Sequence, residues 1–177
     1  MHEDFWRCLN FENTEISQQN FDAICRRYPN ATEVNIFGIY NSNALVMGAM
    51  SSLRRLETLN LGKEQLGDSF FQALTNCRTL KSLRICDSSL GNGMHEITVQ
   101  HDRLLELRIT KCRVLRVSVR CPQLQSLPLK RTSTAHALLT CPLLLVPCYL
   151  NGILHPATSF RMLGFVRRLH HVLYWHH

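Results

Sequence analysis

The 177-residue chain is short of acid in its second half. After Glu106 there is not one Asp or Glu, whereas Arg103, Arg108, Lys111, Arg113, Arg116, Arg120, Lys130 and Arg131 crowd the stretch from 103 to 131. The formal charge of +7 therefore belongs to one half of the molecule; the residues before Gln100 are slightly acidic. A basic cluster alone is weak support for nucleic-acid binding, because single strands are also gripped by aromatic stacking, and 103–131 contains no Phe, Tyr or Trp. Long apolar runs are lacking too: nothing approaches the ~18 residues of a membrane span, so no membrane partner is expected. There is no C-x-x-C, which leaves a zinc site without its usual spacing. No Ser/His/Asp or Cys/His motif and no glycine-rich phosphate loop occurs, Gly91–Gly93 lacking the third glycine. A non-catalytic protein with no cofactor and no metal is expected. The opening MHEDFW is acidic and lacks the apolar core of a secretory leader. The eight cysteines are thus expected as free thiols, in a cytoplasmic or nuclear protein.

What is present is a phrase that returns. LETLNL (Leu56–Leu61) is followed by LKSLRI (Leu80–Ile85), LLELRI (Leu104–Ile109) and LQSLPL (Leu124–Leu129), and preceded by the weaker ATEVNI (Ala31–Ile36). The anchors Val34, Leu59, Leu83, Leu107 and Leu127 recur at roughly 24 residues, the last step shortening to roughly 20, with Leu9 about one period earlier. That period with an L-x-x-L-x-L pattern predicts a leucine-rich-repeat solenoid: an α/β fold, one parallel strand per turn, helices and irregular segments on the outer face. Residues two apart on a strand share a face. The predicted core is therefore Leu9, Val34, Ile36, Leu56, Leu59, Leu61, Leu80, Leu83, Ile85, Leu104, Leu107, Ile109, Leu124, Leu127 and Leu129. The alternate positions Glu33, Asn35, Thr58, Asn60, Ser82, Arg84, Glu106, Arg108 and Lys130 would face outward on the concave side, where a partner would bind; Gly62 is read as outward too.

Between the strands, Ser17 is expected to cap a helix that buries Phe21, Ile24 and Cys25. Ala44–Met50 suggests a looser helix. Asp68 or Ser69 is expected to cap a third helix carrying Phe70, Phe71, Leu74 and Cys77. After Ile85 the helical pattern fails: E-I-T-V and RVLRVSVR alternate at period two and read as strands, while Ser133–Leu139 is read as one or two helical turns. Cys77, Cys121 and Cys141, which open C-x-x-L phrases, are read as small buried hydrophobes. The division expected is an opening strand and helix over 1–30, repeats over 31–145 and a non-repeat tail over 146–177. That tail holds five of the nine histidines and puts Pro147 where a strand residue belongs. Permitted codons for His155–His177, read one base later, restore a C-P-L-L phrase, so the tail is expected to be aberrant or out of frame and poorly ordered.

The phrases DFWRCLNFEN, RYPNATEVNI, FFQAL, ITKCRV and RCPQLQSL, spread from about His2 to Leu145, resemble the plant F-box/leucine-rich-repeat proteins. The resemblance implies the substrate-recognition part of an SCF-type E3 ubiquitin ligase, in which an F-box binds a Skp-type adaptor and hence the cullin, and the repeats choose the protein to be degraded. The sequence departs from that pattern in having no F-box before HEDFW and none of the later repeats. A target protein is therefore the expected partner, and the adaptor and cullin are expected only for a complete member. The alternatives are a stand-alone interaction module or competitor and, less favoured, a basic nucleic-acid-binding repeat.

Overall fold

The computed structural model describes residues 6–39, 43–91, 96–114, 116–132 and 136–144, with backbone alone at 136, 137 and 159–162. The elements run β1 (Cys8–Asn10), α1 (Gln18–Arg27), β2 (Glu33–Ile36), α2 (Asn43–Ser52), β3 (Thr58–Gly62), β4 (Gln65–Leu66) and α3 (Asp68–Leu74). They continue as β5 (Ser82–Cys86), β6 (Ser89–Leu90), β7 (Glu96–Gln100), β8 (Glu106–Thr110), β9 (Arg116–Arg120), β10 (Leu129–Lys130), β11 (His136–Leu139) and β12 (Ser159–Met162). The chain is mixed α/β, and every strand pairing is parallel. One sheet has the order β1-β2-β3-β5-β8-β10; a second runs β12-β11-β9-β7; β4 and β6 form a small third. No helix among the described residues is long and apolar enough to cross a membrane.

Register in the first sheet follows the phrase. Leu9 pairs with Val34, Val34 with Leu59, Leu59 with Leu83 and Leu83 with Leu107, while Leu61, Ile85 and Ile109 form the next row. These residues, with Ile36, Leu56, Leu80, Leu104, Leu124, Leu127 and Leu129, lie in one core, none of them more than 4% exposed. Burying each such side chain is worth about 1.5–3 kcal/mol, but a strand supplies only one wall. The opposite wall consists of α1, α2 and α3 in the first half and of Ile97, Val99, Val117 and Val119 from the second sheet in the later half.

The exchange of helix for strand has a geometric basis. A ten-residue helix such as α1 spans about 15 Å, and a five-residue strand such as β9 about 16 Å. Swapping one for the other keeps the reach with fewer residues, and the unit that holds β9 is the one whose step shortens to roughly 20. The same economy turns 136–139 into strand β11, paired in register with β9, where a helical turn is expected from the sequence.

Two backbone devices repeat with the phrase. At the strand entrances one carbonyl takes two successive amides. Arg7 O accepts Thr32 and Glu33 (2.8 and 2.9 Å), Thr32 O accepts Glu57 and Thr58, Glu57 O accepts Lys81 and Ser82, Lys81 O accepts Leu105 and Glu106, and Leu105 O accepts Gln125 and Ser126. At the exits the chain turns through a residue of positive φ: Asn13 (52°), Gly38 (83°), Lys63 (62°), Asp87 (51°), Lys111 (55°) and Arg131 (52°). Only one of the six is glycine, although this conformation costs other L-residues about 1–2 kcal/mol. Beside the later turns, buried Ser88, Cys112 and Thr132 each point Oγ or Sγ at the carbonyl two residues back; Cys112 and Thr132 also reach Ile85 O and Ile109 O of the preceding unit. The carbonyls of Cys86, Thr110 and Lys130 already accept the amides of Lys63, Asp87 and Lys111, so these bonds chiefly give the buried hydroxyl and thiol groups an acceptor.

Several expectations need correction. Neither Asp68 nor Ser69 caps α3; Gly67 holds the cap position with no side-chain bond, and Asp68 sits in the first turn, where a carboxylate still favours the helix dipole. Gly62 faces the same side as Thr58 and Asn60 but is buried, because the Phe37 ring lies over it. Among the described residues the first sheet ends at β10. The ladder pattern, with Ser126 N donating to Leu105 O, would have residue 128 donate to Leu107 O; that residue is Pro128, which has no N–H. The pairing is accordingly split into a lone Glu106–Ser126 bridge and the two residues of β10. Residues 145–158 and 163–177, on which the expectation of a poorly ordered tail falls, lie outside the described residues; the backbone of 159–162 is a strand parallel to β11.

Candidate functional site

The face of the first sheet opposite the leucines presents three rows. Glu33, Thr58, Ser82 and Glu106 form the first, with Ser126 bridged at its end. Asn35, Asn60, Arg84 and Arg108 form the second. Gly62, Cys86, Thr110 and Lys130 form the third, so Lys130 stands one row away from the arginines and not beside Arg108. Parallel pairing in register brings the nine expected positions to one face, and the hydrogen-bond register decides their grouping.

The face is not a bare basic patch. Glu106 sits at its centre, accepting from Ser82 Oγ at 2.9 Å, Arg108 Nη2 at 3.0 Å and Arg84 Nη2 at 3.4 Å. Burial pushes the Glu106 carboxyl up, but the hydrogen bonds from Arg108 and Ser82 and the charges of Arg84 and Arg108 outweigh it, leaving the group below its ordinary value. Across the sheet, Asn60 Nδ2 donates to Glu33 Oε1 at 3.0 Å. Arg84 and Arg108 remain about half exposed, at 49% and 44% of their side chains. Beneath them Asn60 Oδ1 and Arg108 Nε are buried without a hydrogen-bond partner. The result is two guanidiniums held in fixed positions by one carboxylate, each with donors still facing solvent, flanked by amides on the N-terminal side.

Sequence reasoning missed two features of this face. Phe37 covers Gly62 and makes the N-terminal end of the third row aromatic; a glycine directly after L-x-L was the signal available. The second is the carboxylate link, which the simple count of basic residues hid. The remaining basic residues divide. Arg116 and Arg120 lie exposed on the second sheet, across from Glu96 and Gln100, and Arg113 bridges to Ser89 at the strand exits.

Three buried thiols are held un-ionised by their surroundings. Burial drives Cys25 and Cys112 up to about 11, and burial with the neighbouring Cys141 drives Cys121 up to about 12. Seven described cysteines are free, and no group of three or more His, Cys, Asp or Glu among the described residues is placed to hold a metal. His101 is buried, its Nε2 2.9 Å from Cys77 O and its Nδ1 accepting the Arg103 amide at 3.2 Å, an arrangement met by the neutral tautomer with the proton on Nε2. It fastens a corner of the chain. No family model matches the chain, and no solved structure matches it significantly.

Proposed function

We propose that the chain is a stack of leucine-rich repeats, a short solenoid whose polar sheet face captures a target protein, and that it corresponds to the substrate-recognition part of an SCF-type ubiquitin-ligase receptor. The observation that carries the reading is the face itself: one polar residue per strand, aligned in register across successive parallel strands, with Arg84 and Arg108 braced by Glu106. A braced guanidinium loses less side-chain freedom on binding, so it serves a docking surface better than a free one. The resemblance of DFWRCLNFEN, RYPNATEVNI and RCPQLQSL to plant F-box/leucine-rich-repeat proteins supports the assignment to target choice in ubiquitin-dependent degradation. Within residues 1–177 the reading assigns target binding and no adaptor binding. The partner surface is acidic at the Arg84–Arg108 end and amide-rich toward Asn35.

Nucleic acid is the poorer fit. Part of the cationic character of Arg84 and Arg108 is already spent on Glu106, and rows of single amides offer no platform for successive bases. The test is site-specific photocrosslinking in plant extract, with a crosslinking residue placed at Asn60 or, on the second sheet, at Thr98. The reading expects one discrete protein adduct from Asn60, lost in an Arg84→Glu/Arg108→Glu chain, and none of it from Thr98. Equal adducts from both faces, or a Skp-type adaptor as the captured protein, would defeat it.

A further inference from the structure

A second candidate site lies away from the sheet face, at the edge where the first strands begin. Trp6, Arg27, Tyr28 and Arg55 line an open groove of about 710 Å³ that ends at Glu57. Three different units supply its walls: the approach to β1, the turn between α1 and β2, and the turn before β3. Trp6 is half exposed, at 52%, and is stacked on Tyr28 with ring centroids 4.6 Å apart and planes 19° from parallel. The Arg27 guanidinium lies 5.6 Å from the Tyr28 centroid, so the cation is held against the aromatic wall. Among the described residues the single acid in the lining, Glu57, is committed to Lys81 at 2.9 Å. The groove is thus cationic with an aromatic floor.

We infer that this groove binds a short acidic peptide segment of a partner protein, one that carries a proline or aromatic side chain beside its carboxylates. The free face of Trp6 takes the flat apolar group. The guanidiniums of Arg27 and Arg55 take the carboxylates in charge-assisted hydrogen bonds. The volume is that of a site for a few residues. A single-stranded nucleic acid is the rival occupant, because aromatic and guanidinium groups also suit bases and phosphates. One free ring face, with the other already stacked on Tyr28, accommodates one base and no run of them.

The experiment follows Trp6 emission in a Trp175→Phe chain, which leaves Trp6 as the one tryptophan. The probe is an acetylated hexapeptide of sequence Asp-Glu-Pro-Phe-Asp-Glu. The proposal expects saturable quenching that weakens at least about tenfold in Arg27→Glu/Arg55→Glu, the scale of one lost charge-assisted contact. Arg27→Gln and Arg55→Gln should give intermediate losses, which guards against a folding failure in the double reversal, and far-ultraviolet circular dichroism checks each variant. Arg120→Glu on the second sheet should bind as the parent does. The proposal is overturned if the peptide does not quench at millimolar concentration or if a Lys-Lys-Pro-Phe-Lys-Lys peptide binds equally. It is also overturned if oligouridylate binds more tightly than the acidic peptide at the same salt. Tighter binding in Glu3→Gln/Asp4→Asn would assign the groove to the chain's own N-terminal carboxylates, which likewise overturns it.

Discussion

Replacing Gly62 by Ala gives the sharpest packing test, because the cost has one identifiable source. The backbone at Gly62 lies in the ordinary extended region, so alanine brings no conformational strain there, and in a strand interior it should help by about 0.5–1 kcal/mol. The added Cβ would overlap Phe37 Cδ2 and stand 2.6 Å from Cε2 and 3.2 Å from Cγ. Contact that close to the root of the ring cannot be relieved by bending its tip; the ring must change rotamer and leave the face. Overpacking of this kind costs about 1–3 kcal/mol, so Gly62→Ala should destabilise the chain by about 1–2 kcal/mol in urea unfolding. The second arm is Phe37→Ala, in which the clash no longer exists. In that background Gly62→Ala should be neutral or mildly stabilising, giving a coupling of at least about 1 kcal/mol in the double-mutant cycle. Additive effects would refute the reasoning and place the Phe37 ring elsewhere in solution.

Lys111, at φ 55°, should tolerate glycine with a gain of about 0.5–1 kcal/mol, since relief of left-handed strain exceeds the added freedom of the unfolded chain; urea midpoints check it, and Lys111→Val should move the other way. Glu106→Gln should lose about 1 kcal/mol at neutral pH. Because the folded-state value of Glu106 is depressed, its contribution is complete above the unfolded-state value and fades as pH falls toward the folded one. The wild-type and variant curves should therefore converge in acid, and a gap that widens there contradicts the network. Iodoacetamide at pH 8 should label exposed Cys8 first. Cys112 and Cys121 should react only through unfolding, because thiols at about 11 and about 12 are ionised to only about one part in 10³ and 10⁴ at that pH. Peptide mapping during the time course reads this out.

Much of the first sheet was legible because its two signals agree. Leu59, Leu83 and Leu107 recur at a fixed spacing, and within each phrase the apolar residues alternate at the period of a strand, which sets both identity and face. What was illegible depends on the neighbouring unit. Lys63, Asp87, Lys111 and Arg131 turn the chain in a conformation usually signalled by glycine, so nothing in their side chains announces the bend; their spacing alone does. Residues 136–139 are strand where a helical turn is expected, because their composition allows either state and the choice falls to β9, against which they pair. Pro128 lies inside the LQSLPL phrase and has no N–H to give Leu107 O, so the pairing of that strand with β8 is split there. The candidate face was legible residue by residue and not as a surface. Glu106 clamps arginines of two strands, and only the register brings Ser82, Arg84 and Arg108 around it. The Trp6 groove was harder still, since its walls come from three units separated by more than twenty residues.

Successive units are joined at the strand entrances by one carbonyl accepting two amides, which makes the polar face one continuous surface. Amide hydrogen exchange on the purified chain, read by mass spectrometry, tests it most directly. The amides of Thr32 and Glu33, Glu57 and Thr58, Lys81 and Ser82, and Leu105 and Glu106 should exchange slowly and together, with protection running from about Leu9 to Leu129. Fast exchange at those pairs, with protection confined to α1, α2 and α3, would contradict it.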